Sequence, residues 1–307
     1  MHSPASAVLM VRPACFGFNA ETAGTNAFQH SDVEHGVHEI AMQEFDQVVS
    51  QLEAEGVHVM VHVSEDVEAP DAIFPNNWFS THEDGKLVLY PMFAANRRRE
   101  SNAEIISRIR SFCRTSVTDD VRSCAERARF LEGTGSIVFD HFSRIAYAVE
   151  SPRTTPALFS EVCSRLGYQP FLFHCYDPDG NPVYHTNVVM CMGNRNVVLY
   201  ADGVPDIERS LLCSKLETSG REIIKIGWKQ LVSFCGNMLL LKNSKGDLRM
   251  IVSANSWLAF TDDQKSMLLK EARPVVVNIP TIERIGGGGV RCMLAELFVN
   301  KTGDGAQ

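Results

Sequence analysis

The 307-residue sequence has no Cys-x-x-Cys pair, no apolar run near the ~20 residues that span a bilayer, no basic excess and no Pro/Gly/Ser-rich linker. Each absence narrows the function. The nine cysteines (15, 113, 124, 163, 175, 191, 213, 235 and 292) are odd in number and scattered, fitting neither a disulfide framework nor a zinc ribbon, and point to a reducing compartment. The N-terminus carries no basic region followed by an apolar core, so a cytoplasmic location is expected. Lys and Arg total 29 against 37 Asp and Glu, a formal charge of −8, which disfavours a nucleic-acid or anionic-membrane partner. The one basic run, Arg97-Arg98-Arg99, is closed by Glu100 and reads either as a solvated helix approach or as a site for an anion such as a carboxylate. The longest glycine run lacks a following Lys-Ser/Thr and is no P-loop.

What is present is a repeat. Val37 to Leu52 has helical 3-and-4 spacing stopped by Gly56, and Val57 to Val63 then alternates as a strand, with His58 and His62 read as facing its other side. The same order returns four times. Helices are expected over 101–112 with Ser101 and Glu104 as a capping box, from Thr155-Pro156 to Gly167, over Asp206–Thr218, and from Thr261 with Gln264 three residues on. Strands are expected after each, at Ala128–Leu131, Tyr168–Cys175, Glu222–Ile226 and Pro274–Ile279. Further strand-like runs lie between, including Lys86–Tyr90, Ile145–Val149, Val188–Met192, Val197–Tyr200 and Leu248–Val252. Five helices recurring roughly every 50 to 60 residues among strands predict one α/β domain over residues 1–307, built of five ββαβ-like modules.

Polar residues cluster where strands end. Gly286-Gly287-Gly288-Gly289-Val290-Arg291-Cys292 delivers a thiol from a run of four glycines, which marks a cramped site around the sulfur and makes Cys292 the candidate nucleophile. It is expected to alkylate ahead of the other eight cysteines. Asp71 and the pair Asn76-Asn77 sit among apolar neighbours, as suits recognition of a polar ligand or an Asn-Asn turn. Glu132-Gly133-Thr134-Gly135 follows a strand, Ser151-Pro152-Arg153-Thr154 follows a hairpin, and His185-Thr186-Asn187 precedes another strand. Cys292, His185 and Glu132 together make a nucleophile, an acid/base and an orienting carboxylate.

In that order these motifs resemble the guanidino-group-modifying superfamily of arginine deiminase, dimethylarginine dimethylaminohydrolase, succinylarginine dihydrolase and the amidinotransferases, from about Val8 to Phe298. The N-terminal Arg12-Pro13, Phe18-Asn19 and Thr22, with Phe74-Pro75-Asn76-Asn77-Trp78, look most like the citrulline-utilisation hydrolases of the CtlX type. The resemblance implies a five-bladed pseudo-symmetric α/β propeller (pentein), with Cys292 as nucleophile, His185 as general acid/base and Glu132 as the central carboxylate. Asp71, Asn76, Asn77, Arg97, Arg153 and Asn187 are expected to bind substrate, with no metal or organic cofactor. Arg291 is expected to lower the thiol pKa.

Where arginine deiminases carry two aspartates that grip the guanidinium, this chain has Asn77 and Asn187. Amides forfeit the charge-assisted bonds to a cation but satisfy a neutral ureido group, so the expected substrate is citrulline, giving ornithine, ammonia and carbon dioxide. Arginine deiminase, dimethylarginine hydrolase and arginine-derivative dihydrolase are the alternatives, and a noncatalytic pentein-fold binding protein is the remote one. A papain-like protease is disfavoured because His185 precedes Cys292 in the chain. A small-molecule substrate is the expected partner, and a homodimer is left open.

Overall fold

The computed structural model describes residues 3–31 and 36–300. In chain order its strands are β1 (Ala7–Arg12) and β2 (His58–Val63); β3 (Phe79–Thr81), β4 (Lys86–Leu89) and β5 (Val117–Asp120); β6 (Ile137–Asp140), β7 (Ile145–Val149) and β8 (Gln169–Phe173); β9 (Met190–Met192), β10 (Asn196–Leu199) and β11 (Glu222–Lys225); β12 (Leu239–Lys242), β13 (Leu248–Ser253) and β14 (Arg273–Val277); and β15 (Ala295–Glu296). They form five three-stranded sheets. In each, the middle strand pairs antiparallel with the inner strand and parallel with the outer one. A parallel pair needs a crossover, and the five expected helices provide it: Val37–Ala54, Ala103–Cys113, Pro156–Leu166, Asp206–Thr218 and Asp262–Glu271. In the first sheet the inner strand is β15, paired Val8↔Glu296 and Leu9↔Ala295, so the last strand of the chain completes the sheet begun by the first.

The middle strands are apolar on both faces because each separates two blades. Along β1, Val8 and Met10 enter the cluster shared with Leu239, Leu241 and Ile251 of the fifth blade, whereas Ala7, Leu9 and Val11 enter the one shared with Leu87 and Leu89 of the second. Along β4, Val88 turns the other way, toward Ala146 and Ala148 of the third blade. Ile145, Tyr147 and Val149 on the opposite face of β7 join the cluster of the fourth and fifth blades. The ring of blade interfaces closes, as a five-bladed α/β propeller requires.

Three local expectations are corrected. Asn102, one residue later than the expected cap, closes the second crossover helix by accepting from Ile105 N at 3.1 Å. The strand expected over Ala128–Leu131 is instead β5, earlier in the chain; Ala128 follows a 3-10 turn over Arg122–Arg127 and has φ +52°, and Leu131 makes only an isolated bridge to Thr154. Val188 and Val189 belong to a helical turn, Thr186–Val189, ahead of β9. His58 stacks on Phe112 and His62 meets Arg108, so both keep structural roles.

The inner strands matter for function. Each follows a tight turn: Pro75–Asn77 before β3, Gly133–Ser136 before β6, Thr186–Val189 before β9, the Phe234–Asn237 turn before β12 and Val290–Met293 before β15.

Candidate active site

Every one of those five turns brings a polar side chain toward the axis, and four of the five were singled out in the sequence. Cys292 sits in the Val290–Met293 turn at 4 % exposure. The glycines before it leave little room for a side chain. A Cβ at Gly286 would lie 2.7 Å from the Phe74 ring, one at Gly288 3.1 Å from the same ring, and one at Gly289 2.7 Å from Asn237 Oδ1. Gly287 has φ +63°, a left-handed conformation costly for any residue with a Cβ. Its carbonyl accepts from Asn26 Nδ2 at 3.2 Å and from the Tyr184 hydroxyl at 2.8 Å.

The Cys292 sulfur faces two carboxamides. Asn187 Nδ2 and Asn237 Nδ2 each lie 3.4 Å from Sγ, and Asn237 Nδ2 also donates to the Asn187 carbonyl at 2.8 Å. Burial pushes the thiol above its ordinary pKa, while these donors and the positive charges of Arg291 and Arg97 pull the other way. Arg291 acts at range, because its guanidinium is bound to Leu294 O and Glu296. Cys15, by contrast, is exposed whereas Cys292 is buried, so accessibility alone does not favour Cys292 for alkylation.

His185 Nε2 lies 2.8 Å from Glu132 Oε2. Burial alone would raise the Glu132 carboxyl, but Arg153, the His185 hydrogen bond and Arg97 hold it well below the usual carboxylate range, so it is an acceptor only. Nε2 therefore carries the proton, and the Nδ1 lone pair is left as the basic site. Burial draws His185 down to about 4 against the opposing pull of Glu132. Both Glu132 oxygens are occupied: Oε1 accepts from Phe93 N at 2.9 Å, and Oε2 meets His185 and, at 3.4 Å, Arg153. Arg153 also bonds Thr22 O and Thr25 Oγ1 and lies over the Tyr184 ring.

Asp71 presents one free oxygen. Its Oδ2 accepts from Asn19 Nδ2 at 2.8 Å and Thr22 Oγ1 at 3.1 Å, whereas Oδ1 is buried without a partner. Asn77 likewise keeps Nδ2 unpartnered while Oδ1 accepts from Arg97 Nη1 at 2.7 Å. Buried polar atoms without partners are rare in folded proteins, and their gathering here marks a place for a polar ligand. A small pocket of about 20 Å³ lies between these groups, lined by Cys292, His185, Arg153, Asn77, Asp71 and Arg97 among others. Of the three consecutive arginines only Arg97 lines it; Arg98 binds the Met92 and Phe93 carbonyls, and Arg99 pairs with Asp66 and Glu68. Asn76 is fully buried and lies outside the lining. Asn187 meets the sulfur and lines a second, separate cavity that holds neither Cys292 nor His185. Among the described residues no group of three or more His, Cys, Asp or Glu could hold a metal ion, and no helix is long and apolar enough to cross a membrane.

Asn237 was missed by the sequence reading. Its signal lay in the repeat: Gly236-Asn237-Met238 precedes β12 much as Thr186-Asn187-Val188 precedes β9. Tyr184 and Asn26 were missed too, having no motif beyond their nearness to His185 and to the N-terminal likeness.

Solved structures of other proteins share this fold. The N-terminal domain of ArgZ, an arginine dihydrolase from the ornithine-ammonia cycle in cyanobacteria, was solved as a cysteine-to-serine mutant bound to substrate. It superposes with TM-score 0.76 at 14% identity, covering 96% of this chain and 98% of that one. AgrE in binary complex with L-arginine gives 0.75 at 15% identity, over 96% of this chain and 40% of that one. DDAH from Pseudomonas aeruginosa in complex with citrulline gives 0.67 at 15% identity, over 96% and 100%. No curated protein matches. The family described as N,N dimethylarginine dimethylhydrolase, eukaryotic, matches residues 12–299. With nearly its whole length matched, the chain belongs to that family, within the guanidino-group-modifying enzymes, and is a hydrolase of non-peptide C–N bonds.

Proposed function

We propose that the chain, working as a single domain, hydrolyses the ureido group of citrulline to ornithine, ammonia and carbon dioxide through a covalent adduct on Cys292. The observation that carries this reading is the state of the carboxylates. Glu132 has both oxygens occupied, and the groups at Asn77, Asn187 and Asn237 are neutral amides, leaving Asp71 Oδ1 as the one free carboxylate oxygen among the groups assigned to the pocket. A neutral ureido group loses little in such a site, whereas a buried guanidinium would lack charge-assisted bonds worth about 1.5–3 kcal/mol each.

In this mechanism thiol and imidazole both start uncharged. As Sγ attacks the ureido carbon, its proton passes to His185, whose imidazolium Glu132 stabilises. His185 then protonates the departing nitrogen as the C–N bond breaks. Water, deprotonated by the same imidazole, cleaves the thiocarbamate, and the resulting carbamate loses carbon dioxide. Arg153 is the group assigned to the substrate carboxylate.

One observation favours a second reading. The free Asp71 oxygen suits a guanidinium N–H, so an arginine dihydrolase, which makes the ureido compound first and then cleaves it, uses the same centre twice. Mass spectrometry of products from citrulline, arginine and dimethylarginine, with Cys292→Ser as the control, separates them. Ornithine from citrulline is expected. Citrulline accumulating from arginine or dimethylarginine with no ornithine would overturn the proposal.

A further inference from the structure

We propose that Arg97 sets substrate choice without touching the ureido group, by locking the Asn77 carboxamide with its Nδ2 donor turned toward the reacting centre. The inference rests on the ureido reading above.

A guanidinium has donors and no acceptor. The Asn77 atom 2.7 Å from Arg97 Nη1 must therefore be its oxygen, and the amide cannot flip without setting donor against donor. Nδ2 is then forced to the other side. There it is buried and unpartnered, and it lies against the backbone position where a Cβ on Gly135 would collide with it and come within 2.8 Å of the His185 ring. The free donor thus shares an edge with the imidazole. A ureido carbonyl oxygen accepts from it; the matching position of a guanidinium is another N–H, which cannot.

Arg97 is itself fixed. Its Nε and Nη2 grip Glu100 at 2.8 and 2.9 Å, and Nη2 also reaches the Phe74 carbonyl at 3.0 Å and the Asp71 carbonyl at 3.3 Å. It is 3 % exposed. An arginine expected to clasp a substrate carboxylate is thus largely committed to protein atoms, and the strongest consequence of its position is the orientation of one neighbouring amide. Arg97 is on this view a positioning residue.

The test compares kcat/KM for citrulline and arginine. Both substrates carry the same α-carboxylate, so loss of a carboxylate grip, or simple destabilisation, lowers both and leaves their ratio alone. Loss of the amide lock changes the ratio. Arg97→Lys, and the double variant Arg97→Met with Glu100→Gln, which removes the charge of the nearest ionic partner together with that of Arg97, are each made in the parent and in an Asn77→Asp background. The citrulline-to-arginine ratio is expected to fall about tenfold or more in the parent background, where a hydrogen-bonding site rejects a mismatched analogue. It is expected to stay within about twofold in the Asn77→Asp background, because a carboxylate has no donor end to orient. A ratio unchanged by both Arg97 variants in the parent background overturns the proposal, as does an equal fall in both backgrounds. Failure of the unmodified enzyme to turn over citrulline overturns the underlying reading instead, before any variant is compared.

Discussion

Cys292 and His185 rest as thiol and neutral imidazole rather than as an ion pair, and this sets their pH response. Burial raises the thiol and lowers the imidazole, to about 4 for His185. Catalysis needs the imidazole unprotonated and the sulfur ready to lose its proton. The rate therefore fails as pH falls through about 4, holds level across neutrality and falls again where the thiol ionises and the proton shared with His185 is lost. Asn237 and, next to it, Asn187 ease thiolate formation beside the sulfur, each Nδ2 donating toward Sγ at 3.4 Å. Asn187→Asp replaces that donor with a negative charge, and one pKa unit corresponds to about 1.4 kcal/mol. A charged hydrogen bond worth about 1.5–3 kcal/mol predicts that the alkaline limb of kcat/KM moves up by about one to two units. A thiol titration that leaves the limb in place would remove Asn187 from the sulfur's environment. On the ureido reading, specificity is assigned to Asn77, which lines the pocket where Asn187 does not.

At the scale of elements, the turns before the inner strands hold the residues assigned to the chemistry, and several of their glycines have no room for a Cβ. Gly135 has no room for a Cβ between Asn77 Nδ2 and His185 Cε1 and Nδ1. Gly135→Ala should cost about 1–3 kcal/mol of stability by overpacking, and turnover on the order of a hundredfold by displacing the imidazole and the amide. Circular dichroism with steady-state kinetics separates the two; an alanine variant of unchanged kcat would show that the turn relaxes freely. The same elements show what a sequence discloses. The middle strands β4, β7, β10 and β13 and the crossover helices were legible because burial on two faces, or on one helical stripe, writes directly into composition and period, whereas β1, also a middle strand, was not among the expected strands. The edge strand β5, Val-Thr-Asp-Asp, ends on two acids, Asp119 half-buried and Asp120 exposed, and has no such signature. Val188 and Val189 look like strand by propensity, yet packing imposes a helical turn on them. The candidate trio Cys292, His185 and Glu132 could be proposed from residue chemistry; Asn237 could not, since Gly-Asn before a strand is also an ordinary turn.

At the scale of the whole molecule, five turns from five blades must converge within one hydrogen bond of each other, so the blades have to be held in rotation as well as in contact. Apolar interfaces are non-directional and do this poorly alone. One buried pair adds direction. Asp140 on β6 is fully buried and takes both ends of the Arg221 guanidinium at 2.7 and 2.8 Å, tying the third blade to the approach of β11 in the fourth. Asp140 also accepts from Phe142 N and Ser143 N, so it stays in place without its partner. Arg221→Met strands a buried carboxylate, at a cost of about 3–5 kcal/mol, and should lower the melting temperature by roughly 5–15 °C. Adding Asp140→Asn should recover most of that loss, because no charge is then left unpaired. Neither residue lines the pocket of Cys292, so kcat/KM measured well below the melting transition should stay within about threefold of the parent. If the single variant melts with the parent, the pair contributes only surface-like energy. If it loses turnover while fully folded, blade rotation is transmitted to the centre, and Arg221 belongs to the positioning of the site.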